Sequence, residues 1–69
     1  MDSKKVIKQL IIERNLTLPE LAKKLNYEPQ AFRNKLNRGT YSLNDFIEIL
    51  NALECDLIVQ TRDTKKTFS

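Results

Sequence analysis

Apolar residues recur every three or four positions from Val6 to Leu53, and this spacing predicts four short α-helices. We expect the first helix to have Ser3 as its N-cap and to end near Arg14. The second and third are expected at about 18–25 and 29–37, and the fourth begins after Ser42. The predicted core positions are Val6, Ile7, Leu10 and Ile11, then Leu21, Ala22 and Leu25, then Phe32 and Leu36, and finally Leu43, Phe46, Ile47, Leu50 and Leu53.

Polar residues at the predicted helix ends support these limits. Thr17 and Glu20 have the spacing of a capping box, and Ser42 and Asp45 repeat it before the fourth helix. Asn15 and Asn26 tolerate the left-handed conformation that ends a helix. Pro29 suits the first turn of the third helix, where its missing N–H would have no partner.

The period changes after the fourth helix. Leu57, Val59 and Thr61 alternate with more polar positions, which predicts a strand. Residues 63–66 can turn, and residues 67–68 can return as a second short strand. The sequence therefore predicts a mainly α chain with a helical domain at 1–56 and a C-terminal strand or hairpin at 57–69. That tail either forms a dimerisation element, folds back on the first helix, or frays.

The outer face of the predicted third helix is rich in hydrogen-bond donors. Gln30, Arg33, Asn34 and Lys35 all lie between or beside its two apolar anchors. The base edges and phosphates of DNA are acceptors that such a face can meet.

The stretch TLPELAKKLNYEPQAFRNKLNR, residues 17–38, resembles the helix-turn-helix of the lambda repressor/Cro family, also called the Xre or Cro/C1-type family. The resemblance continues through SLNDFIEILNALEC, residues 42–55. The sequence departs from the family pattern at Leu18, Glu28 and Pro29. The matching positions are Thr17, Glu20, Leu21, Ala22, Leu25, Asn26, Ala31 and Phe32.

This resemblance implies a lambda repressor-like helix-turn-helix bundle of four short helices with a C-terminal β-strand or hairpin. It also implies a sequence-specific DNA-binding transcription regulator that reads the major groove of double-stranded DNA with helix 29–37. A homodimer through the C-terminal strand is the arrangement of Cro. The implied DNA-binding residues are Thr17, Gln30, Arg33, Asn34, Lys35, Asn37 and Arg38.

The distribution of charge is uneven. Residues 1–42 contain nine lysines and arginines against four acids, a net of +5, whereas residues 43–61 contain four acids and no base. Residues 62–69 add +2, which gives the overall charge of +3. A basic and an acidic half suit a protein with one face on nucleic acid, although a solvated surface with chance clustering gives the same pattern.

Composition leaves little room for catalysis. With no histidine, one cysteine and one glycine, the chain offers no zinc site, no Cys–His or Ser–His nucleophile and no phosphate loop. We therefore expect no enzyme, metal, cofactor or small-molecule substrate. We also expect no signal peptide or membrane span, and a cytoplasmic location. The alternative function is a protein-interaction module that keeps the helix-turn-helix fold without DNA, favoured by Leu18, Glu28 and exposure of Ile12 or Ile58.

Overall fold

The structure, a computed structural model, describes residues 2–69, and in them it has four α-helices followed by a two-stranded antiparallel hairpin. In chain order the elements are α1 (Ser3–Glu13), α2 (Leu18–Lys24), α3 (Pro29–Arg38), α4 (Leu43–Ala52), β1 (Val59–Gln60) and β2 (Thr67–Phe68). The mainly helical class and the C-terminal hairpin are confirmed. None of the helices in residues 2–69 has the length and apolar content needed to cross a bilayer.

The start of α1 differs from the sequence prediction. Asp2 is the N-cap, and its carboxylate accepts a hydrogen bond from the backbone N–H of Lys5 at 3.3 Å. A carboxylate also interacts favourably with the positive end of the helix dipole. Ser3 is the first helical residue, and its hydroxyl bonds to the Tyr41 hydroxyl instead. The prediction of Ser3 as the cap is therefore wrong.

The two predicted capping boxes are both present. The Thr17 hydroxyl accepts from the Glu20 backbone N–H at 3.3 Å, and the Glu20 carboxylate accepts from the Thr17 backbone N–H at 2.9 Å. Ser42 and Asp45 exchange the equivalent bonds, both at 3.1 Å. A side-chain cap of this kind stabilises a helix by about 1 kcal/mol. The starts of α2 and α4 are therefore fixed by residues three apart in the sequence.

A left-handed residue follows each of the four helices, and after α4 it is Glu54, with a φ angle of 57°. Asn15 and Asn26 have φ angles of 55° and 62°, which confirms both as helix-ending residues. Gly39 has a φ of 65° and is the C-cap of α3. A Cβ built on Gly39 would meet no atom within 4 Å, so backbone conformation and not space favours glycine there.

A single apolar core holds the four helices together. Helix α2 packs against both α3 and α4, and α1 packs against α4. No polar or charged side chain among residues 2–69 is buried. Burial of apolar surface is therefore the main source of stability in this helical region. The buried residues are Ile7, Ile11, Leu21, Ala22, Phe32, Leu36, Phe46, Ile49, Leu50 and Leu53.

The face that α4 buries is rotated from the predicted one. Phe46, Leu50 and Leu53 are buried as expected, but Leu43 is 66% exposed and was wrongly predicted to lie in the core. Ile47 is only half-buried, and Ile49, at 3% exposure, takes the core position instead. Helical spacing fits both sets of residues, since each set has steps of three and four.

The hairpin is short and exposed. Val59 pairs with Phe68 and Gln60 with Thr67, so β1 begins two residues later than the alternating pattern predicts. All four strand residues are exposed. The radius of gyration is 13.1 Å, whereas about 11 Å is expected for a domain of this length. The hairpin therefore adds little to the buried core, and Val59 and Phe68 line an open cleft with Ile47 and Leu50 of α4.

Candidate nucleic-acid interface

Helix α3 has one buried side and one polar side. Phe32 and Leu36 are 0% and 2% exposed and anchor the helix to the core. Four polar side chains on the other side are all exposed, and at 3.6 residues per turn they span an arc of about 100°. These four residues, called the polar arc from here on, are Gln30, Arg33, Asn34 and Asn37.

Two members of the polar arc are bonded to each other. The Nε2 of Gln30 donates a hydrogen bond to the Oδ1 of Asn34 at 3.1 Å. This contact fixes the orientation of both amides on the helix surface. It leaves the Oε1 of Gln30 as an acceptor and the Nδ2 of Asn34 as a donor, both towards solvent.

The positive charge on α3 faces outward at two places. Arg33 and Arg38 are exposed, and the only ion pair among residues 2–69 involves neither of them. Arg38 is the last residue of α3, next to the turn at Gly39. Both guanidinium groups are therefore available to an anion such as a phosphate, together with the exposed amide of Asn37.

Lys35 has a different environment. Its Nζ donates to the Tyr27 hydroxyl at 2.8 Å and lies 3.4 Å from the Asp45 Oδ2. The hydrogen bond to Tyr27, followed by the contacts with Asp45, raises the pKa of the Lys35 ammonium above its usual value. The contacts join α3 to the α2–α3 connection and to the first turn of α4. This geometry favours a role for Lys35 in positioning α3, and a phosphate would have to compete with Asp45 for it.

Asp45, the acidic partner of Lys35, also accepts a hydrogen bond at the start of its own helix, α4. The backbone N–H of Ser42, with help from Lys35, holds the pKa of the Asp45 carboxyl below its usual range. Asp45 therefore acts twice, as the third residue of a capping box and as the counter-charge to Lys35. Because both side chains remain partly solvated, the ion pair contributes little to the free energy of unfolding, and its main effect is to orient α3 relative to α4.

Thr17, the predicted contact on α2, already uses its hydroxyl. Its Oγ1 accepts from the Glu20 N–H and donates to the Glu20 Oε1 at 2.9 Å. A hydroxyl has one hydrogen, so donation to a phosphate requires the contact with Glu20 to break. The backbone N–H groups of Thr17 and Glu20 are also bonded within this capping box, and Pro19 between them has none.

The connection between α2 and α3 consists of residues 25–28. Asn26 supplies the left-handed turn, and the Glu28 carboxylate caps α3 by accepting from the Ala31 N–H at 2.9 Å. This cap places a negative charge at the end of α3 where the helix dipole would otherwise attract an anion. Glu28 therefore opposes phosphate at this end of α3, while Arg38 favours it at the other.

Sequence reasoning missed the contacts among these residues. The Gln30–Asn34 bond joins residues four apart on one helix, a spacing at which amide side chains regularly pair, so it was detectable. Lys35 contacts Tyr27, eight residues before it in the connection between α2 and α3, and Asp45, ten residues after it in the first turn of α4. No local pattern identifies these contacts, because they depend on how the helices pack.

Residues 2–58 match the model of a family described as a domain of unknown function, DUF6471. This match includes all four helices and stops just before the hairpin. No curated protein and no solved structure matches the chain.

Proposed function

We propose that this chain, which belongs to the DUF6471 family, is a sequence-specific DNA-binding transcription regulator of the helix-turn-helix type. In this proposal α2 and α3 form the helix-turn-helix, and α3 enters the major groove. Helix α2 and the turn after α3 lie against the DNA backbone.

The polar arc is the observation that carries this proposal. It presents amide and guanidinium groups to solvent on one side of a helix whose other side is anchored by Phe32 and Leu36. An α-helix with side chains is about 10–12 Å across and the major groove is about 12 Å wide, so such a helix fits there. Arginine and asparagine or glutamine are also the side chains that pair bidentately with guanine and adenine.

The charge of the chain supports the same orientation. The +5 portion, residues 1–42, includes α2 and α3, while the acidic portion, residues 43–61, includes α4 and β1. DNA phosphates attract the basic portion and repel the acidic portion. The electrostatic field of the protein therefore favours an approach with α3 facing the DNA.

A homodimer through the hairpin completes the proposal. The exposed side chains of Val59 and Phe68 form a cross-strand pair at 64% and 54% exposure. A two-stranded hairpin is marginal in water by itself. Pairing with a second copy would cover these side chains and place two α3 helices on half-sites about 34 Å apart.

The alternative, a protein-interaction module without DNA binding, rests on exposed apolar side chains outside the polar arc. Ile12, Leu43 and Ile58 are 74%, 66% and 56% exposed. The Glu28 carboxylate at the start of α3 also opposes phosphate. A partner protein that covers these side chains would account for both features.

The deciding experiment is selection of bound sequences from a random duplex library, together with binding to a random duplex at several salt concentrations. The proposal expects an enriched motif and an affinity that falls steeply as salt rises. Absence of any enriched motif, with no duplex binding even at low salt, would contradict the proposal and favour the protein-interaction module.

A further inference from the structure

The hydrogen bond between Gln30 and Asn34 makes the two amides a single unit. Of the four hydrogens on the two amide nitrogens, one is used in the bond from Nε2 to Oδ1. The free groups are then an acceptor and one N–H on Gln30, and the two N–H groups of Asn34. The bond thus decides which end of each amide faces a ligand.

We infer that the Gln30–Asn34 pair reads two bases together, an adenine through Gln30 and, through Asn34, a neighbouring base that presents an acceptor, which excludes cytosine. This inference rests on the proposed function. The free Oε1 and N–H of Gln30 match the N6 donor and N7 acceptor of adenine. The Nδ2 of Asn34 can donate to the O6 or N7 of guanine, the O4 of thymine or the N7 of adenine, and it has nothing to offer the N4 donor of cytosine.

The separation of the two amides sets the distance between the two bases. Four residues advance a helix by about 6 Å, and successive bases on one strand are about 3.4 Å apart. The base read by Asn34 therefore lies within two base pairs of the adenine.

The pair also acts through preorganisation. A free glutamine loses side-chain freedom when it binds, whereas Gln30 is already held by Asn34. Removal of either side chain therefore weakens the reading done by the other. The effects of Gln30→Ala and Asn34→Ala are expected to be less than additive in the double variant.

Asn34→Asp separates the two roles of Asn34. The carboxylate keeps an oxygen that accepts from the Nε2 of Gln30, so the preference for adenine is retained. The donor at Nδ2 becomes an acceptor, which pairs with the N4 of cytosine. We expect the preference at the neighbouring position to change to cytosine by about tenfold, while the preference for adenine changes by less than about twofold.

The test is selection from the random duplex library for the parent and for Asn34→Asp, Asn34→Ala and Asn51→Ala, followed by competition binding that measures base preference and not total affinity. Asn51→Ala is the matched control, because Asn51 is also exposed and makes no side-chain hydrogen bond among residues 2–69, and it lies on α4, in the acidic portion that the proposal turns away from DNA. It should leave both preferences intact. Asn34→Ala should lose the discrimination against cytosine and reduce the adenine preference about threefold or more.

The outcomes distinguish the inference from the function that it rests on. A parent that selects no motif contradicts the proposed function and the inference with it. A parent that selects a motif, while Asn34→Asp changes no position or changes both positions alike, leaves DNA binding in place and refutes the paired reading alone. Each variant is compared only if its circular dichroism spectrum matches that of the parent, which shows that the variant is folded.

Discussion

Leu36 anchors the polar arc to the core, so its truncation tests the fold on which the proposal depends. Leu36→Ala removes three carbons from a side chain that is 2% exposed. At about 0.8 kcal/mol per buried carbon the transfer cost is about 2.4 kcal/mol, and the cavity raises the total to about 3–4 kcal/mol. The whole stability of a chain this short is roughly 3–10 kcal/mol. The variant should therefore lose a third or more of its free energy of unfolding.

Leu43→Ala is the matched control, because it is the same chemical change at a site that is 66% exposed. About a third of the side chain is covered there, so the expected loss is below about 1 kcal/mol. Urea unfolding followed by circular dichroism at low micromolar concentration measures both variants, with equal m-values as the condition for comparing them.

Two results would refute this reasoning. A loss below about 1 kcal/mol for Leu36→Ala would show that α3 does not depend on its buried side. An equal loss for the two variants would show that Leu43 is buried and that the face of α4 is the one predicted from its sequence pattern.

Three further predictions test the charges and the hairpin. Ser42 and Lys35 hold the pKa of Asp45 low, so its charged form adds stability above about pH 4 that is lost as the pH falls through the folded-state pKa. Asp45→Asn should therefore lower the urea midpoint at pH 7 but not near pH 2. An equal effect at both pH values would contradict this prediction. Arg38→Ala should lower by about 1 the slope of log affinity for duplex DNA against log salt concentration. Arg62→Ala in the hairpin and Lys35→Ala should change this slope less. Equal slopes for the three variants would show that Arg38 does not contact the DNA backbone. Deletion of residues 57–69 should turn a dimer into a monomer in sedimentation while the helical circular dichroism remains, and a truncated chain that still sediments as a dimer would exclude the hairpin interface.

The sequence by itself determined the features that depend on residues three or four apart. The capping boxes of Thr17 with Glu20 and Ser42 with Asp45 were readable because cap and partner lie within one helical turn. The helix ends at Asn15 and Asn26 were readable because few residue types tolerate a left-handed φ. The polar arc of α3 was partly visible in the same way, from helical spacing about Phe32 and Leu36.

The tertiary structure decided which of several possible faces is used. In α4 the apolar residues cover more than half of the circumference, so only contact with α1 and α2 places Ile49 inward and Leu43 outward. The environment of Lys35 was decided likewise, since Tyr27 reaches it from the connection between α2 and α3, and Asp45 reaches it only because the first turn of α4 lies beside α3. The physical reason is that local rules fix backbone conformation one turn at a time, whereas burial and ion pairing depend on the neighbour that a helix face meets.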